Sequence, residues 1–360
     1  MLPSVLGILG RHGTGSDWWR GVMPFSYLQR QGLPVAWAES QDESVGTETG
    51  LYDLIVLLRL LFPSAHDAKG YVRVLHRHGK VVIMDVDDDL VIHADFIRPA
   101  LDEQKARELS RHMPLFRGTL QYVDGITCTT PHLAARMATV TNKPVAVAPN
   151  LLDLEWWRQV QFHGKRVSPA DKVVIGWIGG ARNALDVAEM LPAWTAVAEL
   201  RPDVHFLIAG NPPDGLVDCV PRDRLTRAPW VAPEQYPALY LSADIGCCPL
   251  APSSFNWSKS PIKAIEHGAT RTPVVVSPTV YGTSMENCAV ARTTEAWVGH
   301  LLRLVDDSSA RFAEGEALYG EVERNWSLQR NWRRFPLAWQ EIMDQNAARL
   351  RSRVLTLADA

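Results

Sequence analysis

The stretch Phe255-Asn-Trp-Ser-Lys-Ser-Pro-Ile-Lys-Ala-Ile-Glu-His-Gly-Ala-Thr-Arg-Thr-Pro-Val-Val-Val-Ser277 joins the signal of a helix start to that of a buried strand. Ser260-Pro261 pairs a hydroxyl residue that favours the N-cap with a proline that favours the first helical position. The pattern predicts a helix over Pro261–His267 and a short β-branched strand over Pro273–Ser277. A helix that leads into such a strand is one repeat of an α/β fold.

The same alternation extends through the chain in both directions. The predicted strands are Val5–Leu9, Val35–Ala38, Leu54–Leu58, Val81–Asp85, Gly125–Cys128, Val145–Ala148, Lys172–Trp177, Val204–Ala209, Ile245–Pro249 and Pro273–Ser277. The predicted helices are Pro24–Gln31, Ala65–His78, Asp102–Tyr122, Pro131–Ala138, Asn183–Leu200, Pro233–Leu241, Pro261–His267, Thr294–Asp306, Ala310–Asn325 and Leu328–Arg351. Strands that are apolar along their length are buried on both faces, which predicts an α/β fold with doubly wound, Rossmann-like parallel sheets.

One segment, Pro149–Asp171, interrupts the alternation with an aromatic pair and a polar run. We interpret it as the linker between two domains of similar size. The predicted domains are residues 1–160, residues 161–325 and a final helical segment, residues 326–360. Two such sheets are expected to bind their ligand in a crevice between the carboxyl ends of their strands.

The composition excludes several classes of protein. The 360 residues carry 37 Lys and Arg against 40 Asp and Glu, so no overall positive field attracts nucleic acid. No apolar run approaches the length of a membrane span, and the N-terminus lacks the positive charge of a signal peptide. The five cysteines show no C-x-x-C pair and no metal-ligand spacing with histidine, which predicts reduced thiols and a cytoplasmic protein.

The helix start at Ser260 carries the clearest binding signal. Its free N–H groups and positive dipole end suit a phosphate, with Lys259 just before it and Lys263 on the first turn. Glu266 lies three residues after Lys263, on the same face and one turn deeper, where its carboxylate can accept from ribose hydroxyls. These four residues predict a cradle for a nucleoside diphosphate. The alternative is an amphipathic surface helix with an ion pair between Lys263 and Glu266.

A family resemblance rests on the same residues. Lys259-Ser-Pro-Ile-Lys-Ala-Ile-Glu-His-Gly-Ala, followed by Pro273-Val-Val-Val-Ser, resembles the nucleotide-sugar motif of the group 1 glycosyltransferases, which have the GT-B fold and are mostly retaining enzymes. Further segments resemble that family in the required order, namely Ala148-Pro-Asn150, Val174-Ile-Gly-Trp-Ile-Gly-Gly180, Val204-His-Phe-Leu-Ile-Ala-Gly210 and Tyr240-Leu-Ser-Ala-Asp-Ile-Gly-Cys-Cys-Pro-Leu250. The resemblance implies two Rossmann-like domains facing a central cleft, with the nucleotide-sugar donor on the second domain and a final helix returning to the first.

The resemblance also implies roles at the first turn of the donor domain. Relatives place cations here, so Arg182 is expected to hold the diphosphate together with the backbone of Gly179 and Gly180. This sequence departs from the family pattern at Ser258, where many relatives have a glutamate that contacts the transferred sugar. We expect Asn256 or nearby backbone N–H groups to take its place.

The first predicted strand is followed by a glycine-rich turn with G-x-x-G-x-G spacing. This spacing differs from the dinucleotide fingerprint, so a tightly bound NAD is not expected. In the resembling family the loop faces the donor phosphate and the acceptor, which points to Gly13 and Gly15. Arg20 is then expected to contact phosphate or acceptor, and Trp18 and Trp19 to stack on a sugar or a base. The alternative for the tryptophan pair is a place in the domain interface.

An acidic run follows the strand predicted over Val81–Asp85 and contains Asp87, Asp88 and Asp89. Carboxylates at a strand end suit a metal ion, but the resembling enzymes need none, because cations neutralise the leaving diphosphate. The resemblance makes Asp87 and Asp88 the predicted catalytic residues, which orient the acceptor hydroxyl or assist its deprotonation. The alternative is that Asp88 or Asp89 caps the next segment.

The sequence thus predicts a hexosyl- or pentosyltransferase that moves a sugar from a nucleoside-diphosphate donor to an acceptor hydroxyl, with retention and without a metal or other cofactor. Two alternatives keep the fold: a nucleotide-sugar epimerase or hydrolase, and a nucleotide-binding protein without catalysis. The serine at position 258 permits the second alternative. The acceptor stays open among a glycan, a lipid, a protein and a modified nucleic-acid base.

Overall fold

The computed structural model describes residues 3–10, 15–42, 45–59, 62, 64–90, 113–180, 184–213 and 215–358. Contacts within the chain divide it into two units. The first comprises Met1–Leu151, Ser258–Ser260 and Asn331–Ala360, and the second comprises Leu152–Trp257 and Pro261–Arg330. Among the described residues, each unit contains one six-stranded sheet whose neighbouring strands are all parallel.

The sheet of the first unit has the strand order β2-β1-β3-β4-β5-β6. Its strands are β1 (Val5–Leu9), β2 (Val35–Glu39), β3 (Leu54–Leu58), β4 (Val81–Val86), β5 (Gly125–Cys128) and β6 (Val145–Val147). All five residues of β1 and of β3 are buried, as expected for central parallel strands covered on both faces. The order reverses direction between β1 and β3, and the carboxyl ends of strands at such a point form the usual ligand site of α/β sheets.

The helices of the first unit cover this sheet. They are Gly15–Asp17, a π-helical turn Trp18–Val22, Met23–Arg30, Val45–Glu48, a 3-10 turn Thr49–Leu51, Ala65–Arg77, residues 113–120, Pro131–Ala138 and Arg334–Ala358. The last of these packs on β5 and β6, where the Ile342 side chain fills the space beside Gly125. Its Trp339 ring lies 5.5 Å from the Phe25 ring, so the C-terminal helix completes the core of the first unit.

The sheet of the second unit has the strand order β12-β11-β10-β7-β8-β9. Its strands are β7 (Val174–Gly180), β8 (His205–Asn211), β9 (Leu225–Ala228), β10 (Ile245–Cys248), β11 (Val274–Val276) and β12 (Ala289–Val290). Here the order reverses between β7 and β10, so the carboxyl end of β7 is the expected ligand edge.

Helices also cover the second sheet. They are Leu154–His163, Met190–Leu200, Tyr236–Tyr240, Ser254–Trp257, Ile262–Ala269, Tyr281–Ser284, Thr294–Asp306, Ser308–Glu321 and Leu328–Asn331, with 3-10 turns at Ala184–Val187, Arg222–Arg224 and Pro233–Gln235 and a π-helical turn at Val322–Trp326. Three large aromatic side chains, Trp194, Phe206 and Trp297, are fully buried in its core. None of the described helices has the length and hydropathy of a membrane-crossing segment.

The predicted α/β class is confirmed, and nearly every predicted strand lies within two or three residues of an observed one. The pattern missed β9 and β12, because β9 is only partly buried and β12 has two residues. The linker interpretation of Pro149–Asp171 is wrong in one respect, because the segment contains the helix Leu154–His163. Asp153 caps this helix by accepting from two backbone N–H groups, and the side chain of Trp157 is fully buried.

Candidate active site

The carboxyl end of β7 is a glycine turn. Gly179 and Gly180 end the strand, and Gly179 pairs with Gly210 on β8. Gly210 has a φ of +96°, and a Cβ at this position would overlap the carbonyl oxygen of Gly179. Glycine is therefore required here, and it leaves the backbone of the turn open to a ligand. The predicted site residue Arg182 lies outside the described residues.

Lys263 lies on the first turn of the Ile262–Ala269 helix and reaches this glycine turn. Its Nζ donates to the carbonyl oxygen of Ile178 at 2.6 Å and lies 5.9 Å from the centre of the Trp177 ring. A side chain on Gly179 would occupy the place of the Lys263 ammonium. The structure thus brings together three of the predicted donor-site residues, Gly179, Gly180 and Lys263.

Glu266 lies one turn further along the same helix and is only 3% exposed. Its Oε2 accepts a short hydrogen bond from the Tyr240 hydroxyl. Burial, together with the negative charge of Glu266, holds the pKa of Tyr240 well above its ordinary value, so the phenol stays a donor. Tyr240 was not predicted as a site residue, although it begins one of the segments that resemble the family.

An exposed aromatic residue, Trp230, stands beside the glycine turn and was also missed. Cβ atoms built on Gly180 and Gly210 would each lie 3.4 Å from its indole ring, which is 43% exposed. Tyr236 packs perpendicular to it at 5.5 Å, and among the described residues its buried hydroxyl has no hydrogen-bond partner. Trp230 follows β9, the strand that the sequence pattern did not reveal.

Asn256 is fully buried and lies two residues before Ser258. Its Nδ2 donates to Asp186 Oδ1 at 2.6 Å and to the Ala251 carbonyl oxygen at 2.9 Å. Within the described part of the chain, its Oδ1 has no hydrogen-bond donor. The carboxamide is therefore held in one orientation with a free acceptor, as a binding residue requires.

The expected N-cap at Ser260 is wrong. The helix begins at Ile262, and its first turn has no side-chain cap. Pro261, which is not helical (φ −80°, ψ 39°), takes the N-cap position, and the Ser260 hydroxyl accepts from Asn150 Nδ2 at 2.7 Å. Lys259 also has a partner in the first unit, because its Nζ lies 3.4 Å from Asp88 Oδ1.

Arg20 lies in a buried network of the first unit. Its Nε and Nη2 each donate to Asp85 at 2.8 Å, and its Nη1 donates to Asn150 Oδ1 at 3.0 Å. The Thr127 hydroxyl donates to the same carboxylate at 2.6 Å. Arg20 is 3% exposed, so this guanidinium holds the core together and the expected contact with phosphate or acceptor is corrected.

The structure describes three of the four other residues predicted at the N-terminal turn. Gly15 begins the first short helix, and Gly13 lies outside the described residues. Trp19 is 4% exposed, which leaves almost no ring surface for a ligand, so the expected stacking is corrected for this residue. Trp18 is half-buried and keeps part of its surface accessible.

Asp87 and Asp88 form ion pairs with Arg59, a residue that was not predicted from the sequence. Arg59 Nη1 lies 3.2 Å from Asp87 Oδ1 and 3.8 Å from Asp88 Oδ2, and it donates to Ser16 Oγ at 3.0 Å. Burial alone would lower the pKa of Arg59, but the charges of Asp87 and Asp88 raise it. Its position directly after the predicted strand Leu54–Leu58 was the signal available in the sequence. In the structure it lies at the reversal point of the sheet and has a left-handed φ of 51°.

Across the described ranges, no group of three or more His, Cys, Asp or Glu side chains is arranged to hold a metal ion. Asp87 and Asp88 instead make ion pairs with Arg59, and Asp88 makes a second one with Lys259.

A family match covers the residues that build the glycine turn. Residues 172–307 match the family of glycosyl transferases group 1. Over these residues the sequence is that of a group 1 glycosyltransferase. Membership confirms the predicted activity, transfer from a nucleotide-sugar donor by an enzyme of a retaining family. A search by sequence among curated proteins found no match.

Solved structures of similar fold align with nearly the whole chain. HepE from Anabaena, in complex with UDP and glucose, has a TM-score of 0.59 and 12% identity, over 97% of this chain and 100% of that one. A UDP-forming α,α-trehalose-phosphate synthase from Burkholderia xenovorans has a TM-score of 0.60 and 12% identity, over 94% and 98%. An α-glucosyltransferase in complex with UDP and a 13-mer DNA has a TM-score of 0.63 and 10% identity, over 96% and 100%. These similarities confirm the GT-B fold.

Proposed function

We infer that this glycosyltransferase uses a UDP-hexose as its donor and needs no metal ion. The main support for the donor site is the position of the Lys263 ammonium, which the Ile262–Ala269 helix places against the glycine turn of β7. The three similar structures described above contain UDP or are named as UDP-forming, and two of them have glucose or a glucosyl activity in their names. These names support the choice of base and sugar.

The diphosphate lies at the glycine turn in this proposal. The backbone N–H groups at Gly179 and Gly180 and the ammonium of Lys263 bind its oxygens, and Arg182 adds a bidentate contact. When the bond between the sugar C1 and the diphosphate oxygen breaks, negative charge develops on the leaving UDP. A fixed cation at that point stabilises the charge, which removes the need for a metal ion.

The nucleoside extends from the glycine turn toward the aromatic residues. Glu266, oriented by Tyr240, accepts from the ribose hydroxyls, and the base stacks on the exposed face of Trp230. The buried Tyr236 hydroxyl gains a polar partner from the bound nucleotide. The free Oδ1 of Asn256 accepts from a hydroxyl of the donor sugar, in the role that glutamate fills in many relatives.

The acceptor is assigned to the first unit. Asp87 and Asp88 lie at the carboxyl end of β4, held by Arg59 and Lys259. Because ion pairs fix the carboxylates, they orient an acceptor hydroxyl for attack on C1 of the sugar. The new C1–O bond replaces the bond to UDP, and the hydroxyl proton passes to a carboxylate oxygen of Asp87 or Asp88. The first unit is thus the acceptor domain and the second unit the donor domain.

Isothermal titration with UDP, GDP and ADP tests the donor site. We expect UDP to bind best, and Lys263→Met or Glu266→Gln to weaken UDP binding roughly 10- to 100-fold, because each removes charge-assisted hydrogen bonds. Glutamine is preferred to alanine at position 266, since it preserves the volume of a buried side chain.

Asp87→Asn is the matched control, because it removes one charge from the acceptor domain. It should bind UDP like the wild type and lose turnover of UDP-hexose with any acceptor that the wild type uses. If both donor-site variants bind UDP normally, the assignment of the donor site is wrong. If Asp87→Asn keeps full turnover, Asp87 has no part in the reaction.

A further inference from the structure

The Ala65–Arg77 helix of the first unit has an outward face that the transferase reaction does not use. Ala68, Val72 and Leu75 are buried against the sheet. At 3.6 residues per turn, the stripe opposite them is formed by residues that are all exposed: His66, Gly70, Arg73 and Arg77. Lys69 and Val74 flank this stripe, and we call the six residues the outer face.

The outer face is strongly basic in an acidic protein. It carries three Lys or Arg residues, whereas the whole chain has a net charge of −3. Asp67 is the one acidic residue of this helix, and its Oδ2 accepts from the Ser64 hydroxyl at 2.7 Å at the helix start. Among the described residues, Arg73 and Arg77 take part in no hydrogen bond or ion pair, so both charges are available to a partner.

Gly70 is a second, independent feature of the outer face. A Cβ built on it would meet no atom within 4 Å, so packing inside the unit does not require glycine. Glycine is also the weakest helix former apart from proline. Its effect at the centre of the stripe is to let the helix axis approach a flat surface closely, beside Arg73 and Arg77.

The remaining side chains favour lipid over nucleic acid. Val74 is 51% exposed at the edge of the stripe, where it can enter the boundary of a bilayer. In the described helix Ala65–Arg77, no exposed side chain is Phe, Tyr or Trp, the large rings on which the bases of single-stranded nucleic acid stack.

We propose that the outer face docks the enzyme on an anionic lipid surface. The guanidinium groups of Arg73 and Arg77 and the Lys69 ammonium pair with lipid phosphates, Gly70 allows the helix to lie flat, and Val74 inserts. This proposal is independent of the donor and acceptor assignments, because it concerns a helix outside both sites.

Flotation with vesicles tests the proposal on the full chain. Wild type should bind vesicles of equimolar phosphatidylcholine and phosphatidylglycerol and not vesicles of phosphatidylcholine alone, and high salt should release it. Arg73→Gln with Arg77→Gln should weaken binding roughly 30-fold, because each basic residue near such a surface contributes about a fivefold factor. Val74→Ser should weaken binding without changing its salt dependence.

The matched control is Arg222→Gln with Arg227→Gln, which removes two exposed cations from the second unit. It should bind vesicles like the wild type, and all variants should keep the thermal unfolding midpoint. Binding that does not depend on phosphatidylglycerol, or equal losses in the two double variants, would overturn the proposal. Tighter binding to a single-stranded oligonucleotide than to the vesicles, lost in the Arg73 and Arg77 variant, would also overturn it.

Discussion

Glu266 is a negatively charged side chain that is almost completely buried. A buried carboxylate is stable only if hydrogen-bond donors replace the water that it has lost. Tyr240 is one such donor, and the raised pKa of its phenol keeps the proton on Tyr240 at neutral pH. In the proposed donor site Tyr240 is therefore a positioning residue, because it orients Glu266.

Tyr240→Phe should weaken UDP binding about tenfold, because hydrogen bonds to a charged group contribute roughly 1.5–3 kcal/mol and the carboxylate would lose its orientation. Binding of 2′,3′-dideoxy-UDP should hardly change, since this analogue lacks the ribose hydroxyls that Glu266 accepts from. Isothermal titration with both nucleotides measures the difference. Glu266→Gln is the reference variant and should reduce the preference for UDP over the analogue. Equal losses for both nucleotides in Tyr240→Phe would indicate general damage to the site.

At the level of elements, the paired strands β7 and β8 shape the glycine turn of the proposed donor site. Gly179 and Gly210 lie opposite each other where both strands end, and the left-handed φ of Gly210 turns the chain there. The sequence showed the glycines of β7 clearly, because they follow a buried strand. It showed no sign that Trp230 lies beside Gly180, since that tryptophan comes from the loop after β9, fifty residues further along the chain.

Gly210→Ala should destabilise the protein by roughly 1–3 kcal/mol and weaken UDP binding, because the new methyl group overlaps the Gly179 carbonyl and alanine disfavours this φ. Urea unfolding and isothermal titration give the two quantities. Gly299→Ala is the control, since this exposed helical glycine has no atom within 4 Å of a new Cβ. It should raise the unfolding free energy slightly, by up to about 1 kcal/mol. If Gly210→Ala is as stable as the wild type and binds UDP equally well, the contact between Gly210 and the Gly179 carbonyl oxygen does not constrain residue 210.

For the molecule as a whole, each unit depends on a few buried polar groups far apart in the sequence. The first unit contains the Arg20–Asp85 pair, whose members are 65 positions apart. The second contains His267, fully buried against Gly246 and 4.7 Å from the centre of the Tyr240 ring. Burial, with a smaller effect of the Lys263 charge, lowers the pKa of His267 from 6.5 to about 3. The folded protein therefore keeps this imidazole neutral.

This shift predicts a fall in stability at mildly acidic pH. Below pH 6.5 the unfolded chain binds a proton at position 267 that the folded chain excludes until about pH 3, so acid favours unfolding. His267 should thus remove about 1.4 kcal/mol of unfolding free energy at one pH unit below 6.5. Urea unfolding at a series of pH values measures the slope, and His267→Gln should reduce it. If the His267 ring signals in an NMR titration of the folded protein shift between pH 7 and pH 5, the imidazole is not kept neutral.

The sequence by itself determined the fold class, the two sheets, most strand positions and the family, because these depend on local patterns of apolar residues, glycines and short motifs. Only the tertiary structure decided which side chains meet. It pairs Arg20 with Asp85 and Arg59 with Asp87, it moves the Ser260 hydroxyl from the helix start to Asn150, and it places Tyr240 on Glu266. Such contacts depend on strand order and register, which bring distant residues to the same sheet edge, and no short stretch of sequence contains that information.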